Sequence, residues 1–107
     1  MTTPAEIFSE METRVSQNSS KIQGMNATYQ FDLTGDDGGL WNVALADGNA
    51  TFNQGQAENP NITITMASND FVDLATGKLD GTMAFMSGKL KIKGDMGLAM
   101  KLQNILR

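Results

Sequence analysis

Residues 88–107 change their hydrophobic period halfway, and that change limits what the chain can fold into more than any other feature. From Lys89 to Lys93 lysines alternate with Leu90 and Ile92, the period-two mark of a strand with one wet face and one dry face. After Gly94 and Asp95 the apolar residues fall at helical spacing. At about 100° per residue, Met96, Leu98, Ala99, Met100, Leu102, Ile105 and Leu106 cover an arc of roughly 220°. Gly97, Lys101 and Asn104 occupy the rest. A helix this apolar must be covered on two sides, by a sheet and by something else. Protein would serve as the second cover, and so would a bound lipid.

The remainder of the chain supplies the sheet. Thr3-Pro4-Ala5-Glu6 reads as a capping box with proline at the first helical position, so a helix begins at Pro4. Ile7, Phe8, Met11 and Val15 form its apolar stripe. Three strands are expected next: Ala27–Thr34, with Tyr29, Phe31 and Leu33 on one face; Leu40–Ala46, with Trp41, Val43 and Leu45; and a short one at Ala50–Asn53. Gly35 to Gly39 and Asp47-Gly48 are the turns between them. A polar loop, 54–61, leads to a fourth strand, Ile62–Ala67, and Ser68 stands where it would cap a helix that Gly77 stops. Gly81–Met86 is expected to be helical and to end before Gly88, while residues 21–26 carry no assignment. Strands gathered early and helices late imply one α+β domain over residues 1–107, with helices on one face of a mainly antiparallel five-stranded sheet.

Composition excludes more than it selects. With 40% hydrophobic and 19% charged residues the chain is globular rather than disordered. No apolar run approaches the ~18–20 residues of a membrane span. The acidic amino terminus does not read as a signal sequence, so the expected location is cytoplasmic. Histidine and cysteine are both absent, which removes the usual general base near neutral pH and the usual nucleophile–base pairs. The dense acidic cluster Asp32, Asp36 and Asp37 fails the calcium-loop spacing, with Gly38 at a ligand position, and reads as a hairpin turn. Gly94-x-x-Gly97 lacks the third glycine and the Lys-Ser/Thr of phosphate-binding loops. No enzyme activity, metal or cofactor is expected.

The segment Gly88-Lys89-Leu90-Lys91-Ile92, continued by Gly94-Asp95-Met96-Gly97-Leu98-Ala99-Met100-Lys101-Leu102, resembles the carboxyl-terminal signature of the sterol carrier protein family. Ile62–Ala67, Asp70-Phe71 and Thr76-Gly77-Lys78 are similar to the family as well. The resemblance is specific over residues 60–106 and extends to 1–59 only in the order of elements. It implies an α+β fold enclosing an apolar tunnel, and non-enzymatic binding and transfer of fatty acids, acyl thioesters, sterols or phospholipids. Animal members carry a peroxisomal carboxyl-terminal tripeptide, which Ile105-Leu106-Arg107 does not match.

Candidate ligand-contacting residues come from both lines of reasoning. Met83, Met86, Met96 and Met100 place half of the eight methionines in eighteen residues, and methionine adapts to ligands of varied shape. With them go the strand residues Phe31, Leu33, Trp41, Val43, Ile64, Met66 and Ile92, and the helix residues Phe71, Leu74, Phe85 and Ile105. Gln103 falls inside the apolar arc, where its amide needs either a backbone partner or a lipid head group. Charge is split: residues 78–107 hold six of the eight basic residues and two acids, net +4, whereas residues 1–77 are net −8. Lys89, Lys91 and Lys93 share one strand face, read either as protection of an exposed edge or as a docking surface for anionic membrane. Expected partners are a lipid ligand and transient anionic membrane, without nucleic acid, for a monomeric chain. Two rivals stand beside the lipid carrier: an accessory module that presents substrate to an enzyme, and an interaction domain with a solid core.

Overall fold

The computed structural model describes residues 3–17 and 19–102. Helix α1 spans Pro4–Gln17, and the Thr3 hydroxyl accepts the Glu6 N–H at 3.3 Å, as the capping box requires. A short 3₁₀ turn, Ser19–Ile22, fills the stretch that carried no assignment. Strands β1 (Ala27–Thr34), β2 (Gly39–Ala46), β3 (Asn49–Gln54) and β4 (Ile62–Ala67) follow. Helices α2 (Ser68–Thr76) and α3 (Gly81–Met86), strand β5 (Leu90–Gly94) and helix α4 (Met96–Met100) complete the described chain.

The sheet order is β3-β2-β1-β4-β5, antiparallel at every pairing except β1 with β4, which is parallel. Both early turns are built as their residues dictate. Asp47 and Gly48 both have positive φ (54° and 79°), the two-residue hairpin that matches strand twist. The parallel pair exists because the segment after β3 crosses back over β2 and β1 before β4 begins. Its anchors are polar. Gln30, fully buried on the face opposite Phe31, receives the Ala57 N–H on Oε1 at 2.8 Å. Asn42 Nδ2 donates to the Gly55 carbonyl at 3.1 Å. Asn61 closes the seam, accepting the Thr28 N–H on its side-chain oxygen at 2.8 Å and donating its own N–H to the Thr28 carbonyl at 3.0 Å. Buried polar groups tolerate this position because each has a partner.

The other face carries the apolar core. Register aligns Trp41, Phe31, Ile64 and Ile92 in one row across four strands. Over it lies α1, whose Phe8 stacks on Trp41 (4.6 Å between centroids) and on Phe71 of α2 (5.1 Å) and meets Phe31 edge-on at 5.3 Å. Such pairs add about 0.5–1.5 kcal/mol each beyond their burial.

One capping expectation is corrected. Ser68 is the first residue of α2 rather than its cap; Ala67 occupies the cap position and supplies no side-chain bond. The Ser68 hydroxyl is buried and donates instead to the Asp36 carbonyl of the β1–β2 turn. A serine hydroxyl at such a junction serves either a local or a distant backbone group, and here it is spent on the hairpin turn. Gly77 stops α2 with φ 87°, and its N–H and that of Lys78 satisfy the Leu74 and Asp73 carbonyls.

Candidate functional site

Downstream of the β1–β4 seam the packing thins. In α3 only Ala84 is buried, and in α4 no residue is. Each short helix is held by an aspartate at its start: Asp80 accepts the Met83 N–H at 3.0 Å, and Asp95 accepts those of Gly97 and Leu98 at 2.8 and 3.4 Å. A cross-link fixes α4 to the sheet. The Tyr29 hydroxyl of β1 donates to the Leu98 carbonyl at 2.6 Å. Burial pushes this phenol up to about 12, and the nearby Asp95 carboxylate adds to the rise.

Between α2, α3, β5 and α4 lies a cavity of about 280 Å³, lined by Leu74, Gly81, Thr82, Phe85, Leu90, Ile92, Met96, Ala99, Met100 and Leu102. Thr82 is its one polar side chain. Two larger clefts differ in chemistry. One of about 390 Å³ between α1 and the β2–β3 turn includes Glu12, Ser16, Gln23, Asp47 and Asn49. The other, about 600 Å³, is bounded by Thr3, turn residues 37–39 and Gln54, with Leu40 and Trp41. Among the described residues, no group of three or more His, Cys, Asp or Glu could hold a metal ion. Asp36 and Asp37 belong to the β1–β2 turn, and Asp32 accepts the Gln30 amide at 3.1 Å.

The structure sorts the sequence candidates into four groups. Leu74, Phe85, Ile92, Met96 and Met100 line the apolar cavity together. Phe31, Leu33, Val43, Ile64, Met66 and Phe71 are buried in the core, with half-buried Trp41 packed against it. Met83 and Met86 stand exposed outside the lining. Gln103 and Ile105 lie outside the described residues. Gly81, Thr82, Leu90, Ala99 and Leu102 are lining positions that sequence reasoning did not single out as ligand contacts. Leu90 carried a usable signal, being two residues from Ile92 on the same strand face. Gly81 carried none, since its contribution is the absence of a side chain beside Leu74. The two-sided cover expected for the last helix is met on one side only among the described residues. Leu98 and Ala99 are half-buried toward the sheet, while Met96 and Met100 are 49% and 85% exposed.

This arrangement, a five-stranded sheet with an aromatic core under α1 and an apolar cavity under short carboxyl-terminal helices, is that of the sterol carrier domains. The SCP-2 sterol transfer family model matches residues 8–107, and the chain belongs to that family. It is 45% identical over 102 residues to hydroxysteroid dehydrogenase-like protein 2 of Xenopus tropicalis, covering 94% of this chain and 24% of that protein. The human protein of the same name is 42% identical over 86 residues, 79% of this chain and 21% of that one. The chain thus spans about a quarter of the length of these relatives. Among solved structures, sterol carrier protein domain 2 of Helicoverpa armigera is 33% identical, with a TM-score of 0.76 over 94% of this chain and 85% of that one. Palmitated SCP2L2 of Aedes aegypti, at 22% identity, shares the fold with a TM-score of 0.80 over 99% and 96% of the two chains.

Proposed function

We propose that this domain binds and transfers lipids without covalent chemistry, holding an acyl chain or comparable apolar ligand in the cavity under α3 and α4. The observation that carries this reading is the cavity itself: about 280 Å³, apolar but for Thr82, in a chain of only 107 residues. Its driving force is burial. Each methylene removed from water contributes about 0.8 kcal/mol, from which the entropy lost on association is subtracted. The flexible side chains of Met96 and Met100 suit a site that accepts tails of different shape. Transfer consists of extraction, shielding and release.

The test is titration with a fluorescent fatty acid in the presence of an aqueous quencher, with palmitate as competitor. Saturable binding at micromolar concentrations, protected from quencher and displaced by palmitate, is expected. Absence of saturable binding for acyl, acyl-thioester and sterol probes alike would reject the carrier reading in favour of an interaction domain. A second reading is favoured by the chain's match to about a quarter of the dehydrogenase-like relatives: the domain presents lipid to a catalytic domain. Immunodetection of the native protein at a mass well above the 11.5 kDa of this chain would support it.

A further inference from the structure

We infer that Met96 and Met100 are an oxidation site through which hydroperoxides lower the affinity of the apolar cavity for its cargo. This regulation rests on the lipid-carrier reading and acts on the same site. With no cysteine in the chain, methionine thioethers are its only sulfur. Burial divides the described methionines into two sets with nothing between them. Met11, Met25 and Met66 lie in the core at 8% exposure or less, whereas Met83, Met86, Met96 and Met100 range from 49% to 85%. An oxidant dissolved in water reaches only the second set. Position then separates that set in two. Met96 and Met100, one helical turn apart on α4, line the cavity, and Met83 and Met86 of α3 stand outside it.

The chemistry needs one co-reactant, a hydroperoxide, either free in solution or borne by a lipid held in the cavity. The sulfur lone pair attacks the terminal oxygen, and the O–O bond breaks as the S–O bond forms. The proton of that oxygen passes to the departing one, which leaves as water or an alcohol. Sulfur gives up two electrons and the peroxide takes them. The product, a sulfoxide, turns an apolar side chain polar, in a lining whose one other polar side chain is Thr82. Without cargo the new S–O groups face water and cost little, since both side chains are exposed. Cargo covers them, and a polar group covered without a hydrogen-bond partner opposes burial. The penalty therefore falls on the bound state and reads as lost affinity. Sulfoxide reductases restore the thioether, and the same exposure that admits the oxidant admits the repair.

The test treats the intact 107-residue chain with hydrogen peroxide or with a fatty-acid hydroperoxide. Peptide mass spectrometry maps the sulfoxides, and a fluorescent fatty acid titrates each sample. Affinity is expected to fall about tenfold once Met96 and Met100 are oxidised, and to return after treatment with sulfoxide reductases. Unmodified Met11, Met25 and Met66 show that the core stayed closed. Two variants locate the effect, since leucine keeps the volume of methionine but takes up no oxygen. Measured against each variant's own untreated value, the loss should vanish in Met96→Leu/Met100→Leu and persist in Met83→Leu/Met86→Leu. Lipid-borne peroxide should mark Met96 and Met100 ahead of Met83 and Met86, and excess palmitate should suppress that preference. One pattern from both reagents, unmoved by palmitate, supports the switch with its oxidant drawn from solution. Affinity within twofold of the untreated value when Met96 and Met100 carry sulfoxide overturns the proposal and leaves the carrier reading standing. An equal loss in Met96→Leu/Met100→Leu does the same, as does sulfoxide on Met83 and Met86 alone. Absence of fatty-acid binding before oxidation overturns both.

Discussion

Tyr29 is the residue on which the two halves of the molecule meet. Its ring lies in the core row of β1 and its hydroxyl reaches the Leu98 carbonyl of α4. Because burial and Asp95 raise its pKa to about 12, the folded state holds the phenolic proton more tightly than the unfolded chain. The stability so conferred is complete below about pH 10 and is lost as pH rises from about 10 to about 12, at roughly 1.4 kcal/mol per unit. Urea midpoints followed across that window should fall more steeply for the parent than for Tyr29→Phe, whose own deficit near neutrality should be about 0.5–1.5 kcal/mol. Equal slopes would mean the phenol is open to water. Asp95→Asn retains an N-cap acceptor but removes the charge, and should move the Tyr29 titration downward when followed by ultraviolet absorbance. Gln30 is the contrasting case: a buried polar residue on the face of β1 opposite Tyr29, Phe31 and Leu33. It is dry because loop 54–61 covers it, and that cover depends on a non-local crossing that local spacing does not encode.

At the scale of elements, the junction of β5 and α4 shows what a local pattern determines. Gly94 adopts φ 114°, and a Cβ there would fall 2.5 Å from the Asn61 carbonyl oxygen and 3.0 Å from the Ile62 Cα. Both obstacles are backbone, at the head of β4, where the Asp95 N–H also donates to the Asn61 carbonyl at 3.1 Å. Gly94→Ala should therefore cost about 1–3 kcal/mol from backbone strain, and more through loss of the β4–β5 edge. Thermal or urea unfolding measures it, and a change below about 0.5 kcal/mol would show that this edge yields freely. The strands, both early turns and the α1 cap were legible because each depends on neighbours in sequence. The parallel β1–β4 pair and the Ser68 bond to the hairpin turn were not, since each is decided by packing between distant segments. The site was legible in the same proportion. Alternation and helical spacing identified Ile92, Leu74, Phe85, Met96 and Met100, but the period that marks an inward side chain does not say whether it meets core or cavity.

For the molecule as a whole, the β1–β4 seam divides labour. The aromatic core is made by α1, β1, β2 and α2, whereas every residue lining the apolar cavity lies between Leu74 and Leu102. The seam's consequence is kinetic. Because α3 and α4 bury little, these helices are expected to open more readily than the aromatic core, although Leu74, Ala84, Leu90 and Leu102 join the two in one apolar cluster. Amide hydrogens of α3 and α4 should exchange with solvent deuterium orders of magnitude faster than those of β1 and β2. A lipid that occupies only the closed form would slow the fast set, by about a hundredfold at a concentration a hundred times its dissociation constant, and leave the slow set nearly unchanged. Uniform protection across both sets would instead describe a single cooperative block. On the proposed carrier reading, local breathing of α3 and α4 would set the rate at which cargo is taken up and surrendered, so delivery would be fast in a protein whose overall fold is durable.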